Sequence, residues 1–200
     1  EIAAQLIARN GGGNLGLYFH VSRGADTKRH HAFPTGITPT VFAFTYSIPP
    51  SPVPDKRATT PFTVVTAEDL RWQRCNIKSI SLLGNVLHYQ QSDAQGHNET
   101  ILYNHNRELT EASSCNVYVV KNGIVATPLL DHQKLPGITR LMLLEILRRD
   151  GSIPVQERVV TLRELAQADE VWLTSSSKEI APVVAIDGRP VGDGRAGDIW

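Results

Sequence analysis

The chain has little sulfur: its 200 residues include two cysteines and one methionine. Cys75 and Cys115 are too few for a disulfide framework and lack the paired spacing of a structural zinc site. Both read as reduced thiols, which fits a cytoplasmic setting. Net charge is also missing, because 20 basic residues stand against 20 acidic ones. No field therefore draws the chain toward nucleic acid or an anionic membrane. No apolar run approaches the roughly 20 residues of a bilayer span, and the opening residues lack the basic-then-apolar order of a signal peptide. These absences leave a globular protein whose partner is a small molecule or another protein.

What is present supports a sizeable core, since 41% of the residues are apolar in a chain of this length. Residues 1–8 read as the end of a helix. Residues 15–22 alternate apolar and polar side chains as a half-buried strand does, a turn follows at Arg23-Gly24, and residues 41–46 give a second strand. Pro49, Pro50, Pro52 and Pro54 then forbid regular structure and mark a linker. The expected domains are the remainder of a small α/β domain over residues 1–55 and a larger domain over 56–200. In the second, residues 62–66 read as a strand, and residues 79–91 carry apolar side chains at helical spacing with Lys78 at the helix entrance. Residues 100–103, 117–120, 124–127 and 171–174 are β-rich, with Asn122-Gly123 as a hairpin signal. Thr139 is a candidate N-cap for a helix over 141–149, and Ser175, Ser176 and Ser177 form a hydroxyl run after the last strand. Interspersed helices and strands predict an α/β or α+β fold with a mixed sheet.

Several residue groups suit chemistry. Lys78, between Ile77 and Ile80, could be held out of bulk water, where a lowered pKa makes an amine a usable nucleophile. Taken alone it equally reads as a surface lysine. Glu111 lies in the polar stretch 109–116, expected to be a loop, where an acid could hold a buried cationic ring nitrogen while Ser113, Ser114 and Asn116 supply hydrogen bonds. The same residues also suit plain turns. Two segments offer an anion site: Gly137-Ile138-Thr139 at a helix start, and the hydroxyls from Thr174 to Ser177. Each alone is also an ordinary cap. Arg29, His30 and His31 suit a carboxylate grip or a solvated loop. His88, His97 and His105 are scattered and read as structural, and no metal site is expected.

Read in order, three segments carry a resemblance: residues 68–79 (EDLRWQRCNIKS), 109–116 (LTEASSCN) and 135–140 (LPGITR). Together they resemble the signature series of class IV aminotransferases, the fold-type IV pyridoxal-phosphate enzymes, over essentially the whole chain. Within that family the chain is most similar to the D-amino-acid transaminases, in which an arginine and a histidine two residues apart precede a Phe-Pro pair. Arg29, His31, Phe33 and Pro34 match that pattern.

The resemblance implies a two-domain fold-type IV enzyme with pyridoxal 5'-phosphate as cofactor. Lys78 would carry the cofactor and move the proton between the substrate Cα and the cofactor. Glu111 would pair with the pyridine nitrogen and keep it protonated, so that the ring remains an electron sink. Leu135 would pack on the ring, and Ser114, Cys115 and Asn116 would line it, Cys115 standing where the subgroup often has serine. Gly137, Ile138 and Thr139 would bind the phosphate, with Ser175 and Ser176 opposite. Arg29 and His31 would hold the substrate carboxylate. The substrates implied are a D-amino acid and a 2-oxo acid such as 2-oxoglutarate, and the assembly a homodimer. A branched-chain L-amino-acid aminotransferase, an aminodeoxychorismate lyase and a catalytically silent homologue are the rivals. The family's phosphate-binding arginine would lie upstream of Glu1, so the natural protein is expected to have roughly 80 further N-terminal residues, the size of a small domain.

Overall fold

The computed structural model describes residues 1–51 and 53–200, so Pro52, one of the four expected linker prolines, lies outside the described residues. The chain forms two compact units, Glu1–Ser51 and Pro52–Trp200. In the first, helix α1 (Ile2–Arg9) is followed by strands β1 (Leu15–Ser22) and β2 (Thr40–Ser47). The strands pair antiparallel from Leu15 opposite Ser47 to Ser22 opposite Thr40. Aromatic and β-branched side chains favour this pleated pairing. Alternation puts Tyr18, Phe42, Phe44 and Tyr46 on one side, with ring centroids 5.1 Å apart for Tyr18–Phe44 and 5.5 Å for Phe42–Phe44. Gly16 faces Tyr46, and a Cβ there would lie 2.5 Å from the Tyr46 ring, so only glycine lets the ring fold across the strand.

The second unit is built on a mixed sheet. Its strands are β3 (Phe62–Glu68), β4 (Glu99–Tyr103), β5 (Leu109–Ala112), β6 (Asn116–Lys121), β7 (Ile124–Pro128), β8 (Val155–Arg158), β9 (Glu170–Ser175), β10 (Glu179–Ile186) and β11 (Arg189–Pro190). Three helices, α2 (Leu83–Asp93), α3 (Ile138–Asp150) and α4 (Leu162–Ala166), complete it. The spatial order is β5-β4-β3-β10-β9-β6-β7-β8, with β11 paired to β10. The sheet curls until its ends meet: Leu109 N donates to Val160 O at 2.7 Å, and Leu162 N to Arg107 O at 2.8 Å. Inside the curl, Val117, Val119, Val171 and Leu173 join Val64, Ile101 and Val183. The intervening Tyr118, Val120 and Trp172 point outward and pack under Leu143, Leu144 and Leu147 of α3. Both faces of β6 and β9 are thus covered, and each buried apolar side chain contributes about 1.5–3 kcal/mol.

Several local expectations change. Helix α2 begins at Leu83 rather than residue 79, so Lys78 lies on the preceding loop, not at a helix entrance. Leu109–Ala112 is strand β5, which places Glu111 on the sheet rather than in a loop. Helix α3 starts earlier than expected, with Gly137 rather than Thr139 as its N-cap. Strand β10 contains Pro182, which ordinarily argues against a central strand. Here Pro182 pairs with Trp172 of β9, while the β3 ladder begins one residue later at Val183. Among the described residues no helix is long and apolar enough to cross a membrane.

Candidate active site

Glu111 is buried on β5 and engaged at both oxygens. Oε1 accepts from Arg71 Nη1 at 2.6 Å. Oε2 accepts from Leu135 N at 2.9 Å and from Asn116 Nδ2 at 3.3 Å. Burial pushes the Glu111 carboxyl above its ordinary value, and the Arg71 guanidinium works against that rise. Arg71 is itself buried and grips Asp69 along a second edge, Nε to Oδ1 at 2.9 Å and Nη2 to Oδ2 at 2.7 Å. Burial of Arg71 disfavours its charge, yet the Asp69 and Glu111 carboxylates more than reverse this and hold it protonated. Asp69 is held below the usual carboxylate range, because Arg71 and Thr110 outweigh its own burial.

Asn116 links this carboxylate to a helix start. Its Nδ2 also donates to Leu135 O at 2.9 Å, and a Cβ on Gly137 would lie 2.2 Å from Asn116 Oδ1. Only glycine lets the 135–137 turn approach so closely. No side chain caps α3, and its first backbone bond runs from Leu141 N to Gly137 O at 3.0 Å. The amides of Ile138, Thr139 and Arg140 therefore have no intrahelical acceptor, and the helix dipole favours an anion beside them. Opposite Asn116 in the sheet register is Thr174 of β9. It lies on the same strand face as Trp172, the face that α3 covers. Its Oγ1 is buried and lacks a hydrogen-bond partner among the described residues. An orphaned buried hydroxyl is rare in a folded core and points to a ligand atom.

The other predicted site residues divide. Leu135, Gly137, Asn116 and Glu111 are joined directly by the contacts above, with Ile138 and Thr139 following Gly137. Ser114 and Cys115 turn elsewhere: Ser114 Oγ donates to Glu99 Oε2 at 2.5 Å and Cys115 Sγ to the same oxygen at 3.6 Å. Ser113 donates to Glu99 Oε1. Burial, then the Glu99 charge, pushes the Cys115 thiol up to about 11, so it remains neutral. Ser175 is half-buried, and its Oγ accepts from Lys178 N at 3.1 Å. Ser176 is exposed at the turn. Lys78 is also exposed rather than desolvated within this chain, because the loop before α2 lies on the surface. It makes no hydrogen bond or ion pair with the Glu111 cluster. Arg29 and His31 lie in the first unit, on the exposed loop between β1 and β2.

The sequence alone does not mark Asp69 and Arg71 as site residues, and it offers Thr174 only within the hydroxyl run 174–177. Asp69 and Arg71 stand out only as part of a motif, although two opposite charges two positions apart beside a strand end are a signal for a local ion pair. Thr174 is one hydroxyl among four, and what separates it from the exposed Ser176 is that β9 ends at Ser175, leaving Ser176 in the turn.

A buried carboxylate paired with Arg71 at one end and an uncapped helix start with an unpartnered hydroxyl at the other define a cradle for a ligand that carries a cation and an anion. The chain belongs to the class IV aminotransferase family: that family's sequence model matches residues 1–186. The D-alanine aminotransferase of Listeria monocytogenes is 36% identical over 199 residues, spanning 100% of this chain and 68% of that protein. That of Bacillus licheniformis is 39% identical over 184 residues, spanning 92% and 63%. The branched-chain amino acid aminotransferase of Escherichia coli has the same fold, with a TM-score of 0.82 at 25% identity over 98% of this chain and 65% of that one. The chain thus spans about two thirds of the length of these proteins, and its mixed sheet is that of the fold-type IV aminotransferases.

Proposed function

We propose that the protein is a pyridoxal-phosphate-dependent transaminase that exchanges an amino group between a D-amino acid and a 2-oxo acid, with 2-oxoglutarate as acceptor. The observation that carries this reading is the buried Glu111, paired with Arg71 and linked through Asn116 to the uncapped start of α3. Those residues fit the cofactor: Glu111 suits a protonated ring nitrogen, Leu135 the ring, and the amides of Ile138 and Thr139 the phosphate. On the opposite side of the phosphate, the orphaned Thr174 hydroxyl, Ser175 and Ser176 supply donors. When bound, the cofactor supplies an aldehyde carbon for the substrate amine and a ring that accepts electrons from the substrate Cα.

The protein's own residues do the rest. Lys78 is a lysine without an ion-pair partner among the described residues, so its amine is available both to hold the cofactor and to carry a proton at the substrate Cα. Glu111 keeps the proton on the ring nitrogen. Arg29 and His31 hold the substrate carboxylate by charge-assisted hydrogen bonds. Likeness to D-alanine aminotransferases over the whole chain supports D-specificity. The same resemblance supports a homodimer, and two reduced thiols support a cytoplasmic setting.

The fold likeness to branched-chain aminotransferases supports a second reading, transfer from a branched-chain L-amino acid. The visible spectrum of the protein mixed with pyridoxal phosphate separates the readings. A visible band that bleaches with D-alanine and not with L-leucine is expected, and Lys78→Ala should lack that band while keeping its fold. Bleaching by L-leucine alone would reassign the substrate. A band that persists in Lys78→Ala would remove Lys78 from its role.

A further inference from the structure

The Asp69, Arg71 and Glu111 side chains are nearly sealed from solvent, at 9%, 1% and 7% exposure. Together they carry two negative charges and one positive. Four of the five guanidinium N–H donors are engaged: Asp69 takes Nε and Nη2, Glu111 takes Nη1, and Gln133 O accepts from Nη2 at 3.2 Å. One negative charge remains unmatched, and an unmatched buried charge costs several kcal/mol.

Neighbouring groups do not supply the match. His88 accepts a hydrogen bond from Leu70 N on Nε2 at 3.4 Å, and burial lowers its pKa, so it stays neutral. Burial raises the pKa of the Cys75 thiol. Lys134 is paired with Asp131 at 2.7 Å. Apart from Arg71, the donors to Glu111 are the uncharged Leu135 N–H and Asn116 amide.

We propose that Asp69 is a positioning residue that sets the charge of the site: by claiming one edge of Arg71 it leaves Glu111 with a net negative charge to offer one cation. This rests on the reading above, in which that cation is the protonated pyridine nitrogen. Arg71 alone would neutralise Glu111. Asp69 restores the negative charge, so the pair Asp69–Arg71 fixes the geometry of Glu111 without cancelling its charge. The cluster then becomes neutral only when a protonated ring is bound, which couples binding to ring protonation.

The test compares pyridoxal 5'-phosphate with 1-deazapyridoxal 5'-phosphate, in which carbon replaces the ring nitrogen, by equilibrium titration of the wild-type chain, Asp69→Asn and Glu111→Gln. Wild type should prefer the nitrogen-containing compound. Asp69→Asn should shrink that preference about tenfold, equivalent to one pKa unit, while leaving affinity for the deaza compound unchanged. Glu111→Gln should abolish the preference. Equal loss for both compounds in Asp69→Asn would show a merely structural role and overturn the proposal, as would an unchanged preference. If wild type binds neither compound, the cofactor reading fails by itself. The charge claim is then decided by the carboxyl 13C titration of Glu111 in the free chain. Its midpoint should fall in Asp69→Asn, and no movement would overturn the claim.

Discussion

The two units use similar strands to different effect. Strands β1 and β2 are eight residues each and rich in aromatic and β-branched side chains, yet no residue of the first unit is buried. Strands β6 and β9 are six residues each, and five in each are buried. Local preference therefore makes a strand in both places. What makes a core is a layer on each face: the curled sheet closes over Val117, Val119, Val171 and Leu173, and α3 covers Tyr118 and Trp172. The ribbon of the first unit has apolar side chains on both sides, and no residue of its own unit buries either side. The cradle around Glu111 belongs to the covered region, where low polarity gives a charge leverage.

Sensitivity to substitution should follow that division. The largest difference is expected between two arginines. Arg71→Met removes the cation between two buried carboxylates and should cost about 3–5 kcal/mol in urea unfolding. Arg29→Met, on an exposed loop, should stay within about 0.5 kcal/mol. Equal effects would mean that the cluster is not buried in solution. Next come two apolar truncations. Leu173→Ala opens a cavity at a fully buried site and should cost about 2–5 kcal/mol. Val21→Ala, at a residue 65% exposed, should change stability by less than about 1 kcal/mol. A large loss at Val21 would show that something covers the ribbon. Fluorescence suits the Leu173 measurement, because all three tryptophans, Trp72, Trp172 and Trp200, lie in the second unit.

Helix ends give a smaller contrast. Thr161 and Glu164 form a reciprocal capping box at α4, with Glu164 N donating to Thr161 Oγ1 at 3.2 Å and Thr161 N to Glu164 Oε2 at 2.9 Å. Thr161→Ala should cost about 1 kcal/mol by thermal unfolding. Glu1 precedes α1 without any side-chain cap, so Glu1→Ala should leave the melting curve unmoved.

Legibility in the sequence follows the same line. Strand β1 is readable to its ends, because alternation is a local signal, and Asn122-Gly123 marks the hairpin between β6 and β7 through two residues with positive φ. Strand β10 is not readable, since Pro182 forbids a central strand unless the neighbouring ladder starts after it, which is a fact of topology. Glu111 is legible as a site residue through its motif, but its place on a strand is not, because LTEA is polar only in its middle. The orientation of Ser114 and Cys115 cannot be read at all: both donate to Glu99, a strand residue 15 or 16 positions earlier. Local patterns are thus sufficient where partners are near in sequence, and insufficient where a buried charge draws distant donors toward it.

The finest contrast lies inside the cluster, between carboxylates that share one arginine. Asp69 has its pKa lowered from 3.8, because Arg71 and Thr110 overcome its burial. Its ionised form is favoured by folding, so it stabilises the protein above pH 3.8, and that contribution is lost as pH falls through the lower folded value. Glu111 has its pKa raised from 4.5, chiefly by burial. Folding there favours the protonated form, so ionised Glu111 costs stability at neutral pH, and the cost disappears as pH falls through the raised value toward 4.5. The two therefore have opposite signs in neighbouring windows. Urea unfolding from pH 7 to 3 should show this in two variants. Glu111→Gln should flatten any gain on acidification toward pH 4.5, and Asp69→Asn should flatten the loss below pH 3.8. If both variants changed the profile in the same window, the carboxylates would titrate as one coupled group, and Asp69 could not act as a separate setting of the charge that Glu111 offers.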